Sequence, residues 1–274
     1  MHGKQRAIAR PLRAALGLEL VVPSGFDSDA FGSFCGAVPR FGTPLEACRR
    51  KAERALETSG CDLALASEGS FGPHPAVPFL PCGLEWMVFL DAAQGLVIAD
   101  HLLARRTNFD HRTCRRAAAL ADWPARVGFP SHALLVRPHQ LLPGAPPGLA
   151  LRKGITAAAT LAAAIAAAVA VSADGLAQVE TDMRAHRNPT RMASIRALAF
   201  RLARRIATPC PACGAPGWGR VEPLPGLPCG WCGTPTSLLR AERFGCVRCE
   251  ASEEHPRSDG LLLADPQHCP HCNP

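Results

Sequence analysis

The chain has 274 residues, a hydrophobic fraction of 47%, 13 cysteines and a formal net charge of +7. That length holds one medium domain and a small one, and the apolar content excludes a chain too polar to bury a core. The positive charge is almost wholly arginine, since Lys4, Lys51 and Lys153 are the only lysines; it permits phosphate-bearing partners without demanding them.

Residues 4–17 read as a helix, with Ile8, Leu12, Ala15 and Leu16 on one side, basic residues on the other, and Gly17 as its stop. The opening stretch MHGKQRAIARPLRAALGLELVV is polar and basic, with no uninterrupted apolar core and no small-residue cleavage site. No export signal is expected, and the chain is read as cytoplasmic. LELVV at 18–22 predicts a strand. Residues 23–43 are too long and too glycine-rich for an ordinary turn, so they read as a functional loop or a bulged hairpin, with Asp27, Asp29 and Cys35 as candidate polar or reactive groups. Thr43 and Glu46 form a capping box with Pro44 at the first helical position, which predicts a helix over 44–58.

LALAS at 63–67 predicts a short buried strand. GLEWMVFLD (83–91) and GLVIAD (95–100) predict two more, paired as a hairpin. Residues 112–126 read as a helix, HALLVRP (132–138) as a strand, and 139–150 as a Pro/Gly-rich loop. Residues 155–173 lack charge over a near-spanning length, but they are mostly alanine and carry no aromatic belt. A buried helix is the better reading, and no membrane is expected. LAQVETD (176–182) predicts a strand, and 190–206 an arginine-rich helix. The alternation of strands and helices predicts an α/β layered domain over 1–206, followed by a small zinc-ribbon-like domain over 207–274.

Two clusters in the first part could carry chemistry. SEGSFGPHP (67–75) follows a predicted strand, which places Glu68 at a strand end, where open α/β sheets hold their ligands. Gly69 and Gly72 free the backbone there, and Ser70 and His74 add polar groups. In VETDMRAHRNPTRM (179–192), Glu180 and Asp182 share one face if the strand persists and could hold Mg²⁺. Arg184, His186, Arg187, Asn188 and Arg191 follow in a turn into a helix, a setting suited to phosphate or carboxylate. The competing reading is a salt-bridged, solvated turn. Thr107, Asn108 and Phe109 form a weaker polar loop. No phosphate loop, nucleophile elbow, HExxH or dinucleotide fingerprint is present.

The strongest signal is at the C-terminus. Cys210/Cys213, Cys229/Cys232, Cys246/Cys249 and Cys269/Cys272 are four CxxC pairs, separated by 15, 13 and 19 residues. Eight thiolates in such pairs are what two structural Cys₄ zinc sites require. The simplest pairing is sequential; a cross-brace, in which the first and third pairs share a metal, is the alternative. Metal binding would supply much of the folding free energy of so small a segment. Cys35, Cys48, Cys61, Cys82 and Cys114 read as small apolar residues.

The HGK start, PLEACRRKA, ASEGSFGPHP, TNF, ETDMRAHRNPTRM and the CPAC…PCGWCG…CVRC…CPHCNP tail together resemble a bacterial family classed as a domain of unknown function. A fainter likeness, through Lys4, the PLEACRRKA helix with Lys51, and ASEGS with Glu68, is to the inosine/xanthosine triphosphate pyrophosphatase superfamily. The second resemblance implies metal-dependent hydrolysis of a nucleotide or related phosphate. The two clusters themselves give the site expected for such a reaction: Glu68, Glu180, Asp182 and His186 as catalytic residues, and Lys4, Ser70, His74, Arg184, Arg187, Asn188 and Arg191 as ligand contacts. The rival expectations are a nucleic-acid-binding zinc ribbon and a non-enzymatic scaffold.

Overall fold

The computed structural model describes residues 3–24, 42–74, 77–104, 106–146 and 148–274. Asp27, Asp29 and Cys35 therefore lie outside the described residues. The chain divides into two compact units: Met1–Gly95 with Ala99–Leu202, and Leu96–Ile98 with Ala203–Pro274. The architecture is mixed helix and sheet, consistent with α/β.

Helix α1 (Gln5–Leu16) buries Ala7, Ile8, Pro11 and Leu12 and ends where Gly17 turns left-handed and donates to Arg13 O. The strand predicted at 18–22 does not form. No strand among the described residues pairs with it, and Val21 is 74% exposed. An apolar run alone does not make a strand without a ladder partner. Helix α2 (Pro44–Ser59) starts with the capping box, Glu46 N–H donating to Thr43 Oγ1 at 3.2 Å and Thr43 N–H to Glu46 Oε2 at 2.7 Å.

Strands β1 (Leu63–His74), β2 (Val77–Asp91) and β3 (Leu96–Ala104) form one sheet in that order. β1 and β2 are antiparallel, with Ala64 opposite Leu90, Ala66 opposite Val88 and Glu68 opposite Trp86. Cys48 and Ala52 of α2 pack on the Ala64, Ala66, Val88 and Leu90 side chains, and the small residues let helix and sheet approach closely. The predicted strand end at Ser67 is a correction: β1 runs on through Glu68–His74. As an edge strand it tolerates Gly69, Gly72 and Pro73, and the 15-residue β2 templates its full length.

The second sheet holds β4 (His111–Cys114), β5 (Leu134–Pro138), β6 (Arg152–Ile155) and β7 (Ala177–Thr181), in the order β4-β7-β5-β6 with antiparallel pairs. The single helix predicted over 112–126 breaks into β4, a 3₁₀ turn at Ala117–Leu120 and the one-turn helix α3 (Trp123–Arg126). Pairing of Cys114 with Ala177 overrides the helix propensity of the alanine run. Helix α4 (Ala158–Ala170) lays Leu161, Ala164, Ile165 and Ala168 on Leu134, Val136, Ala177 and Val179 of this sheet. Its 13 residues are too few to span a bilayer, and among the described residues no helix is long and apolar enough to do so. Helix α5 (Pro189–Ala207) buries Ile195, Leu198, Ala199, Leu202, Ala203 and Ile206 at helical spacing.

In the second unit β8 (Gly219–Pro225), β9 (Leu239–Gly245) and β10 (Ser252–Pro256) form an antiparallel meander, with β9 in the middle.

Ile165 is fully buried between α4 and the second sheet. Ile165→Ala should lower the unfolding free energy by about 3 kcal/mol, measured by denaturant titration, through lost burial and an incompletely collapsed cavity.

Candidate functional site

The eight CxxC cysteines gather into two groups: Cys210, Cys213, Cys246 and Cys249, and Cys229, Cys232, Cys269 and Cys272. Sulfurs of facing pairs lie 3.8 Å apart (Cys210 to Cys249), 3.6 Å (Cys213 to Cys246), 3.9 Å (Cys229 to Cys272) and 3.6 Å (Cys232 to Cys269). A disulfide needs about 2.05 Å. A tetrahedron with metal–sulfur bonds of about 2.3 Å has edges of about 3.8 Å. The spacing therefore fits a tetrahedral metal.

Backbone amides also turn toward the sulfurs. Trp231 N–H donates to Cys229 Sγ at 3.4 Å, Arg248 N–H to Cys246 Sγ at 3.2 Å, and Cys272 N–H to Cys269 Sγ at 3.4 Å. Hydrogen bonds from the Thr234 hydroxyl and amide hold the Cys232 thiol down to about 6. The neighbouring Cys232, burial and Cys269 push Cys272 up to about 12. Four thiolates this close cannot all ionise unless a cation neutralises them, so the protein residues fit a divalent metal.

The sequential pairing expected from the sequence is corrected: the first pair shares a site with the third, and the second with the fourth. The meander dictates this. Gly219 at the start of β8 lies opposite Gly245 at the end of β9, so the pair before β8 and the pair after β9 meet at one end. The second pair sits between the end of β8 and the start of β9, at the other end. β10 runs from Ser252, opposite Gly245, to Pro256, opposite Ala241, and returns the chain to that other end before the fourth pair.

In the first unit the motif clusters at 67–75 and 180–191 converge, though not as a strand-end loop. Arg191 of α5 is buried and donates to Glu85 of β2, from Nε to Oε1 at 2.7 Å and from Nη2 to Oε2 at 3.2 Å. Its Nη1 donates to Met183 O at 2.5 Å, and its guanidinium lies 5.0 Å over the Phe71 ring. Gly69 stands opposite Glu85. A Cβ there would come within 2.5 Å of Arg191 Nη2 and 2.7 Å of the Glu85 carboxylate, so only glycine leaves room for the pair.

Across β1, Lys51 of α2 donates to Glu68 Oε2 at 2.5 Å, both side chains buried. Lys4 Nζ donates to Ser67 O at 2.9 Å and Ser67 Oγ at 3.0 Å, with no carboxylate at ion-pair distance among the described residues. Burial, then Arg191, lower its pKa to about 8, against the pull of Glu85 and Glu68. Three cations thus face two carboxylates.

The remaining candidates sort by neighbourhood. Ser70 follows Glu68 on the same face of β1, whereas His74 lies six strand steps, about 20 Å, farther on and does not gather around Glu68. Strand β7 ends at Thr181, and its carboxylates take separate partners. Arg137 Nε donates to Glu180 at 2.9 Å, while buried Asp182 accepts from Arg184 Nη2 at 2.6 Å and from Gly154 N–H at 3.0 Å. Among the described residues, the two cysteine groups are the only clusters of three or more metal-ligating side chains. Asn188 caps α5, its Oδ1 accepting from Arg191 N–H at 3.0 Å, and Thr190 N–H donates to His132 Nε2 at 3.3 Å. These bonds use amides that the sequence reading offered to an anion. His186 is exposed, its Cβ beside Gly3.

Gly154 of β6 has φ +73°, and the position its Cβ would take lies 3.2 Å from Arg184 Nη2 and 3.3 Å from Arg187 Nε. Two guanidinium groups therefore converge over one glycine. Exposed Arg187 meets no carboxylate among the described residues, and Arg152 and Lys153 flank it on β6, both exposed. Glu85 and Gly154 were missed in the sequence. Glu85 was signalled by a carboxylate inside the apolar stretch of GLEWMVFLD, where Asp91 only closes the run; Gly154 carried no signal. Of the scattered cysteines, Cys48, Cys82 and Cys114 are buried, and burial pushes Cys48 to about 12; Cys61 is exposed, against expectation.

A family model described as a domain of unknown function (DUF6671) matches residues 51–274, and the chain belongs to that family. The match includes all eight clustered cysteines, Glu68, Glu85, Arg184, Arg187 and Arg191. No curated protein and no solved structure matches the chain.

Metal counting on substituted chains checks the pairing. The double variant Cys210→Ser/Cys246→Ser should keep one metal per chain, and Cys210→Ser/Cys229→Ser should keep none; sequential pairing requires the reverse. Glu85→Gln should cost about 3–5 kcal/mol of stability by leaving Arg191 buried without its counter-charge. Burial holds the folded pKa of Lys4 below that of a free lysine, so between pH 8 and 10.5 the unfolded chain binds more protons and stability rises with pH. Wild type should gain about 2 kcal/mol over Lys4→Met across that window, read by denaturant titration at each pH.

Proposed function

We propose that the chain is a two-zinc protein whose first unit binds a phosphate-bearing ligand over Gly154. Zinc follows from the donor set: four thiolates at tetrahedral spacing, closed on all sides, suit a structural d¹⁰ cation with no open position for catalysis. A reducing compartment belongs to this reading, since all eight thiols must stay reduced.

The convergence of Arg184 and Arg187 on Gly154 carries the ligand reading. Asp182 grips Arg184 through both Nε and Nη2 and fixes its plane, while Arg187 is left to meet an anion. Planar forks arranged this way match phosphate oxygens, and the absence of a Cβ lets the two guanidinium groups come close together. Two guanidinium groups beside the single carboxylate of Asp182 leave the site positive.

Binding is better supported than Mg²⁺-dependent hydrolysis. For Glu68, Glu180 and Asp182 to hold a cation together, they would have to leave Lys51, Arg137 and Arg184. A second reading, nucleic-acid contact by the zinc-bearing unit, is favoured by Trp231. This residue sits inside the second CxxC pair and is 81% exposed, as a stacking platform would be.

Titration with inorganic phosphate, pyrophosphate and a nucleoside triphosphate, followed by calorimetry, tests the main reading. At least one should bind, and Arg187→Glu should weaken it about tenfold or more, since a charge-assisted bond becomes a repulsion. Affinity unchanged by Arg187→Glu would sink it.

A further inference from the structure

A cavity of about 580 Å³ lies between the Phe79–Pro81 part of the β1–β2 hairpin and the 107–112 segment, closed at one side by Arg126 and Val127. That volume is in the range of small-ligand sites. It joins two sequence motifs that the Gly154 site leaves unused, Gly72-Pro73 near the end of β1 and Thr107-Asn108-Phe109.

Its two walls differ in kind. One is apolar and open: Phe79 is 83% exposed, Leu80 is half-exposed, and prolines 73, 78 and 81 stiffen the backbone around them. A phenylalanine so exposed on a strand has gained almost nothing from folding, and its face is free to take up a flat apolar group. The other wall is fixed. Thr107 Oγ1 accepts from Phe109 N–H at 3.1 Å, Asn108 Nδ2 donates to Val127 O at 2.8 Å, and Asn108 Oδ1 accepts from Asn188 Nδ2 at 2.8 Å. The Phe109 ring lies 6.0 Å from Phe71, itself beneath the buried Arg191.

The charges on the lining favour an anion. Asp110 is held inward by the Trp123 indole N–H at 2.8 Å and is neutralised by Arg112 at 3.0 Å. Among the described residues Arg126 meets only the exposed Asp122, at 3.7 Å, a contact worth little in water. An occupant with a flat aromatic body and a negative group meets both walls at once.

We propose that this cavity binds a nucleotide, its base stacked on Phe79 and its phosphate against Arg112 and Arg126. Neither Arg184 nor Arg187 lines it, so the proposal stands apart from the Gly154 reading. A free nucleotide and one unit of a single strand offer the same stacking and phosphate contact.

The test uses the metal-loaded full chain in an Arg187→Glu background, so that binding over Gly154 does not contribute. Adenosine monophosphate is titrated by calorimetry, and a short fluorescent single-stranded RNA by anisotropy. Phe79→Ala removes an exposed side chain, so its fold should be intact, checked by melting and circular dichroism. At least one probe should bind and be weakened about tenfold by Phe79→Ala. Arg112→Glu/Arg126→Glu should weaken it further and flatten the salt dependence. Binding of the monophosphate assigns a free nucleotide, and binding of the RNA alone assigns a strand. If neither probe binds, or if the affinity of both is the same with and without Phe79, the proposal is overturned.

Discussion

Arg191 is buried, and a guanidinium cannot shed its charge at any pH a protein survives. The first unit is arranged around that fact. Glu85 supplies the counter-charge from the middle of β2, Met183 a carbonyl, Phe71 a ring face, and Gly69 the empty space that the pair fills. Gly69, Phe71 and Glu85 come from the β1–β2 hairpin and Met183 from the turn before α5, so the charge can be neutralised only when the hairpin, the 181–188 turn and α5 are all in place. Such a pair adds little net stability compared with a hydrophobic replacement, but half of it is intolerable. It therefore acts on specificity: arrangements that bring α5 to the sheet in another register leave an ion stranded.

The neighbouring Lys51–Glu68 pair applies the same constraint on the other face of β1, where α2 packs. Lys4 is the excess charge in this network. Its ammonium is desolvated beside two other cations and finds only Ser67 as a hydrogen-bond partner, which is why its proton is weakly held. The second unit solves a different problem. With a three-stranded meander and few large apolar side chains, it buries little, and two tetrathiolate clusters stand where a core would be.

Much of the local structure was legible in the chain. The capping box and Pro44 start α2, and the apolar periodicity of α5 survives its arginines, because these signals act within a few residues. The failures share a cause. LELVV has strand composition but no partner; the 112–126 run has helix composition but lies where β7 needs a neighbour. The SEGSFGPHP segment looked like a loop because glycine and proline usually end strands, yet an edge position makes them acceptable. Site residues failed for the same reason: Glu180 and Asp182 are two apart, but the strand stops between them and each turns to its own arginine.

The sequence by itself determined that the C-terminal segment carries two four-cysteine groups, since eight thiols in CxxC spacing have few other uses and each pair is a local turn. It also determined the start of α2 at the Thr43–Glu46 capping box and the end of α1 at Gly17. Tertiary structure alone decided which pairs share a site. In an antiparallel meander successive connections alternate between the two ends of the sheet, so the odd pairs meet at one end and the even pairs at the other. That is a property of strand order, and no spacing along the chain contains it. The same holds for Glu85 beside Arg191 and for Arg184 and Arg187 over Gly154, where residues far apart in sequence share one buried charge or one missing side chain.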